Sequence, residues 1–113
     1  MTLDEYQSTA AETDQFKATD DLTDPGLVAK VFGLAGETGE VSEKFKKVIR
    51  DGGGKITPEN KMEIAKELGD VLWYIASISR YMGFSLSEVA RMNLDKLQSR
   101  LERGKIGGSG DNR

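Results

Sequence analysis

Two acidic pairs carry the chemistry this sequence can support: Glu37 and Glu40 within GLAGETGE, and Glu67 and Asp70 within KELGD. Residues three apart share one side of a helix, so each pair presents two carboxylates to the same patch. Brought together, the pairs would form an all-oxygen site. Such a site suits Mg²⁺ or Mn²⁺, which keep part of their water shell and share the rest with phosphate oxygens. Composition excludes the common alternatives, because the chain contains no histidine and no cysteine. There is then no imidazole base, no thiolate nucleophile and no imidazole or thiolate metal ligand. A di-iron carboxylate bundle fails on the same ground, since it uses Glu-x-x-His pairs.

The elements that must position these acids read as helices, and no sustained strand-type alternation occurs. The expected class is all-α, a four-helix-bundle-type fold. A first helix is predicted from Leu3 to Thr13, with Thr2 as its N-cap. The polar loop 14–23 follows. Asp24-Pro25 pairs a cap with a proline at the first helical position and opens a second helix to Arg50, stopped by Asp51-Gly52-Gly53-Gly54. Thr57-Pro58 repeats that signal for a third helix to Met82, ended by Gly83. Ser85-Leu86-Ser87-Glu88 is a capping box opening a fourth helix to Arg103. Residues 1–103 thus read as one domain. The tail 104–113, rich in glycine, reads as flexible, the alternative being that it folds over a bound nucleotide.

Helical geometry relates the two acidic pairs. Leu27, Val31, Leu34, Val41, Phe45 and Ile49 fall within about 40° of one line on the second helix, with Glu37 about 80° and Glu40 about 140° to one side. Ala65, Leu68, Val71, Leu72, Ile75, Ser79 and Met82 mark the corresponding line on the third, and Glu67 and Asp70 flank it in the same sense. A short connection makes the helices antiparallel neighbours. Glu37 with Asp70, and Glu40 with Glu67, are then centred on the turn between Gly53 and Gly54. All four carboxylates should converge on one edge. Unpaired, like charges 4 Å apart repel by about 4 kcal/mol at an effective dielectric of 20, so protons or cations must offset them. A single pair would read as ordinary solvated acids; matched height and hand argue against that for the set.

Around the acids, Gly33 lies between the bearings of Glu37 and Glu40, where a missing side chain leaves room for metal and phosphate. Gly36 and Gly39 face away from the core and suit close helix or subunit packing. Lys44, one turn beyond Glu40, either holds a polyphosphate or pairs with Glu40. Tyr74 either stacks on a nucleotide or is a half-buried rim residue, and Trp73 points elsewhere, toward a subunit contact or a base. Tyr6, Gln7, Phe16 and Lys17 are candidates for base recognition. Asn93 falls near the middle of the stripe set by Val89, Ala90 and Leu97, where its amide would need a partner; with Lys96 and Arg100 it forms a polar strip.

The totals bound the partners. With 113 residues, 16 Lys+Arg against 19 Asp+Glu and a net charge of -3, the chain gives no reason to expect a duplex nucleic-acid binder. No apolar run approaches membrane-spanning length and the start MTLDEYQ is not a signal sequence, so a cytoplasmic, unexported protein is expected.

GLAGETGEVSEKFKK (33–47) followed by KELGDVLWYIASI (66–78) resembles the MazG-like nucleotide pyrophosphohydrolases of the all-α NTP pyrophosphatase superfamily, over roughly residues 27–101. The shared signature is ExxE, a spacer, then ExxD, here Glu37, Glu40, Glu67 and Asp70. The resemblance implies a Mg²⁺-dependent hydrolase converting a nucleoside triphosphate to the monophosphate and pyrophosphate, in sanitation or adjustment of the nucleotide pool. It implies a homodimer or homotetramer, with sites completed near subunit contacts. It also implies that Asn93 and Lys96, at the NxxK positions, face the substrate phosphates or the metal. Glu37 or Glu40 would serve as proton acceptor. The competing expectation is a non-catalytic helical dimerisation or regulatory module that kept the fold.

Overall fold

The computed structural model describes residues 1–113 as four α-helices without a strand: α1 (Leu3–Ala11), α2 (Pro25–Gly52), α3 (Pro58–Tyr81) and α4 (Leu86–Glu102). The all-α class is as expected. Each helix starts where a side-chain oxygen takes up an orphan amide. Thr2 accepts from the Glu5 amide, Asp24 from Gly26, Thr57 from Asn60 and Ser85 from Glu88. In three of them the N3 side chain returns the bond, Asn60 taking the part usually played by glutamate.

The ends differ slightly from expectation. α2 continues through Asp51 and Gly52 and stops at Gly53, which adopts the left-handed conformation at φ 62°. A glycine ends a helix by taking that conformation, not by its presence alone. α1 is shorter than predicted because the Thr13 hydroxyl turns back to donate to the Ala10 carbonyl.

α2 and α3 form an antiparallel hairpin. The predicted register holds: Gly33 faces Tyr74, and Lys44 lies 3.8 Å from Glu63, each pair equidistant from the turn. α1 packs on α3 and α4, and α4 touches α1 and α3 but makes no contact with α2. Gln7 is the joint between these elements. Its buried amide donates to the carbonyls of Ala76 and Phe84 and accepts from the Leu86 amide. That assignment replaces base recognition for Gln7, since all of these bonds are structural.

The buried apolar side chains, Leu27, Val48, Ile64, Ala76, Tyr81 and Leu86, are few and scattered. Much of the predicted core stripe is open instead: Val31, Phe45 and Ile49 on α2, Leu68, Leu72 and Ile75 on α3, and Met82 at its C-cap, are exposed. The physical reason is the position of α4, which extends away from α2 and leaves the hairpin uncovered. The radius of gyration, 16.9 Å, accordingly exceeds the about 13 Å of a compact chain of this length. No helix is long and apolar enough to cross a membrane.

Candidate active site

The hairpin delivers three of the four acids to one point. Carboxylate oxygens of Glu37, Glu67 and Asp70 lie within 4.8 Å of one another. Glu40 stands outside that group, exposed on α2. The predicted four-acid convergence is therefore a three-acid cluster with Glu40 at its margin, since its larger angular offset carries it past the edge. Burial pushes the Glu37 carboxyl up, and the charges of Asp70, Glu67 and Glu40 push it further. The cluster thus holds uncompensated negative charge. An octahedral Mg²⁺ with bonds of about 2.1 Å spaces its oxygens at up to about 4.2 Å, so modest side-chain rotation closes this set onto a hard cation.

Lys44 offsets part of the charge, its ammonium 3.6 Å from Glu67 and 3.8 Å from Glu63. It pairs across the hairpin, not along α2 with Glu40, because the antiparallel register places α3 acids nearer.

Beside the cluster is a cleft of about 350 Å³ lined by Glu37, Asp70, Trp73 and Tyr74. Here two expectations are corrected. The space above Gly33 is filled by the Tyr74 ring, since a β-carbon at position 33 would collide with its Cε1 and Cζ. The glycine admits an aromatic wall, and the ligand space lies beyond it. Trp73, predicted to point elsewhere, also walls the cleft: its ring meets Tyr74 edge to face at 4.9 Å, and its Nε1 donates to the Thr13 hydroxyl at 2.8 Å. The wheel of α3 alone misplaced it because the loop after α1, absent from that wheel, holds the indole through Thr13. α1 also supplies Tyr6, whose phenol pKa is raised by burial and then by the charge of Asp70.

Behind Trp73 and Tyr74 is a second pocket of about 210 Å³, lined also by Thr13, Asp14, Gln15, Phe16, Ala29 and Lys30. Its floor is a buried charge network that the sequence reading missed. Lys30, 4% exposed, lies 2.9 Å from Asp14, which also accepts from Arg80 at 2.7 Å and from the Tyr81 hydroxyl at 2.6 Å. The rings of Phe16, Trp73 and Tyr81 surround the ammonium at 4.8, 5.4 and 5.5 Å. Burial pushes Asp14 up, but hydrogen bonds from Tyr81 and Lys30 outweigh it and hold the carboxyl below its usual range. Burial, and then the bond to Asp14, pushes Tyr81 up to about 12. The network pins the α1–α2 loop to the hairpin and so fixes one wall of both pockets. Lys30 lies about 60° from the line of Leu27, Val31 and Leu34 and within about 20° of the bearing of Glu37, so a cation on the inner flank was a signal that could have exposed it.

Comparison with known proteins follows the same residues. The family model of the MazG nucleotide pyrophosphohydrolase domain matches residues 29–104, two of the four helices whole and most of a third. The chain belongs to the MazG nucleotide pyrophosphohydrolase domain family. Gene 37 protein of Mycobacterium phage L5 is 46% identical over 114 residues, covering 100% of both chains. No solved structure matches significantly. The MazG match contains the whole acidic cluster, Trp73 and Tyr74, whereas α1 and the loop bearing Asp14 and Phe16 lie before it.

The α4 residues of the MazG domain stand apart from the cleft. Asn93 is exposed, not buried, because nothing covers that face of α4. Lys96 holds Asp111 of the C-terminal tail at 2.6 Å. α4 is out of contact with α2, which bears Glu37, and Lys96 pairs with Asp111, not with a carboxylate of the cluster. The tail, read as flexible from its glycines, is folded back along α4.

Proposed function

We propose that this protein is a Mg²⁺-dependent nucleoside triphosphate pyrophosphohydrolase, converting a ribo- or deoxyribonucleoside triphosphate and water to the monophosphate and pyrophosphate. The observation that carries the reading is the convergence of Glu37, Glu67 and Asp70 beside an aromatic cleft in a MazG domain. Glu37, Glu67 and Asp70, with Glu40 at the margin, would hold the cation, Mg²⁺ with Mn²⁺ as a substitute. Such a cation supplies neutralisation of the triphosphate and acidification of the attacking water. Glu37 or Glu40 would accept that water's proton on a carboxylate oxygen, since the chain has no histidine to do so. Trp73 and Tyr74 offer a π face to the nucleotide, with Gly33 allowing Tyr74 its position. Lys44 balances Glu67 and steadies the phosphates as the acids engage the cation.

The uncovered apolar faces of α2 and α3 support a homodimer or homotetramer as the working form. In such an assembly Asn93 and Lys96 of one chain would complete the site of another. The biological role in this reading is cytoplasmic nucleotide-pool sanitation or adjustment. Assay of pyrophosphate release across a panel of nucleoside triphosphates, with and without Mg²⁺, tests the activity and reports the preferred base.

A further inference from the structure

Trp73 is the only tryptophan in the chain, and its ring separates the cleft beside the carboxylates from the pocket behind it, since it lines both. An indole in that place would turn among its rotamers unless something held it. Two contacts from outside α3 do so. The indole Nε1 donates to the Thr13 hydroxyl at 2.8 Å. The Lys30 ammonium stands over the ring, 5.4 Å from its centroid. Within α3, Tyr74 meets the indole edge to face at an interplanar angle of 83°, and Tyr74 is itself seated against Gly33. A line of contacts therefore runs from Lys30 through Trp73 and Tyr74 back to α2 at the height of the acids.

The burial of Lys30 calls for a reason, because an apolar residue would fill the same space with no charge to desolvate. Replacing a buried ion pair by apolar side chains is often neutral or stabilising, so stability alone does not account for the ammonium. What a cation adds is direction. Its one acceptor is a carboxylate oxygen of Asp14 at 2.9 Å, and otherwise it meets the rings of Phe16, Trp73 and Tyr81. The ring quadrupole draws an aromatic face toward a cation, most strongly where water is excluded, whereas an alkyl chain accepts a ring at many angles. Asp14 is fixed independently of Trp73, by Arg80, the Tyr81 hydroxyl and the Phe16 amide. The ammonium is thus a set point for the indole.

We propose that Lys30 and Thr13 are positioning residues for nucleotide binding, which clamp the Trp73 indole as the cleft wall and act on the nucleotide only through it. Both roles rest on the function proposed above. Thr13 lies before the family match and Lys30 at its start, and neither belongs to the acidic cluster. Changes at either position should therefore alter substrate binding and not the chemical step.

The test reads the fluorescence of Trp73, first in the full chain without metal or nucleotide. Lys30→Met leaves Asp14 bonded to Arg80 and Tyr81, and Thr13 is exposed, so Lys30→Met and Thr13→Val are expected to stay folded, which circular dichroism checks. Each should make Trp73 more readily quenched by acrylamide. Thr13→Ser, which keeps the hydroxyl acceptor, should behave as wild type. In pyrophosphate release with Mg²⁺, Lys30→Met should raise KM for the preferred triphosphate about tenfold, with kcat within about twofold of wild type, as loss of a desolvated cation–π contact implies. Thr13→Val should raise KM in the same direction. If Lys30→Met does not fold, the comparison of Thr13→Val with Thr13→Ser decides. Trp73 equally shielded in wild type and both variants overturns the proposal, as does a freed Trp73 with unchanged KM. A wild type that hydrolyses no nucleotide overturns it together with the function it rests on, whereas an active wild type whose variants keep its KM overturns the clamp alone.

Discussion

Tyr74 lies over Gly33 so closely that a β-carbon at position 33 would come within 2.7 Å of its hydroxyl oxygen and nearer still to its ring. This contact locks α2 to α3 at the height of the carboxylates and shapes the cleft wall. Gly33→Ala should gain about 1 kcal/mol of helix propensity but lose about 1–3 kcal/mol to overpacking. The expected result is a net loss of stability in urea unfolding together with a raised KM for nucleotide. Adding Tyr74→Ala should recover the stability and not the KM. A stabilised Gly33→Ala with unchanged KM would show that the ring moves away without consequence.

Glu37 predicts a pH dependence of the metal-free protein. Burial and three neighbouring acids raise its pKa, so the folded chain binds this proton more tightly than the unfolded chain. The contribution is unfavourable once the proton leaves, and stability falls as pH rises through the window just above the ordinary carboxylate range. Mg²⁺ should reverse that fall, raising Tm more at about pH 7 than at about pH 5. Thermal melts of wild type and Glu37→Gln check it. Equal Mg²⁺ shifts in both proteins would place the cation elsewhere.

The Asp14–Lys30 pair makes the opposite pH prediction. Asp14 is held below its usual range, so its stabilisation is present above the unfolded pKa and is lost as pH falls through the folded one. Asp14→Asn leaves Lys30 buried without its counter-charge, and should cost about 3–5 kcal/mol in chemical denaturation at neutral pH. A cost no larger than that of a surface substitution would mean that the aromatic rings alone hold the ammonium.

The open faces of α2 and α3 predict association. Leu68, 52% exposed on α3, should be covered in the working form. Sedimentation velocity of wild type should give a dimer or larger species, and Leu68→Glu should shift it to monomer with loss of activity. A monomeric, active wild type would contradict shared sites.

Much of this was legible in the sequence, for identifiable reasons. The four N-caps are local, each a side chain bonded to an amide two or three residues on, so short-range spacing suffices. The antiparallel register was legible because equal distance from the Gly53-Gly54 turn sets which residues of α2 and α3 are level. What the helix wheels could not supply was third-body packing. Trp73 is claimed by Thr13 from the loop after α1 and by Lys30 from α2, Gly33 by a ring from α3, and Lys44 by acids across the hairpin. The open core has the same origin. The stripe on α2 records that its apolar side chains are to be buried, without recording whether α4 of this chain or another chain covers them. Asp111 was unreadable because its partners are long-range contacts of a glycine-rich segment with no periodicity.

The central claim is hydrolysis at the Glu37–Glu67–Asp70 cluster, and the most direct measurement is pyrophosphate release from a nucleoside triphosphate panel by wild type and Glu67→Gln. With Mg²⁺, wild type is expected to convert at least one triphosphate to monophosphate and pyrophosphate. EDTA should abolish this, and Glu67→Gln should lower kcat by about 100-fold or more while remaining folded. Absence of release from every nucleotide with Mg²⁺ or Mn²⁺ present, or full activity in Glu67→Gln, would contradict it.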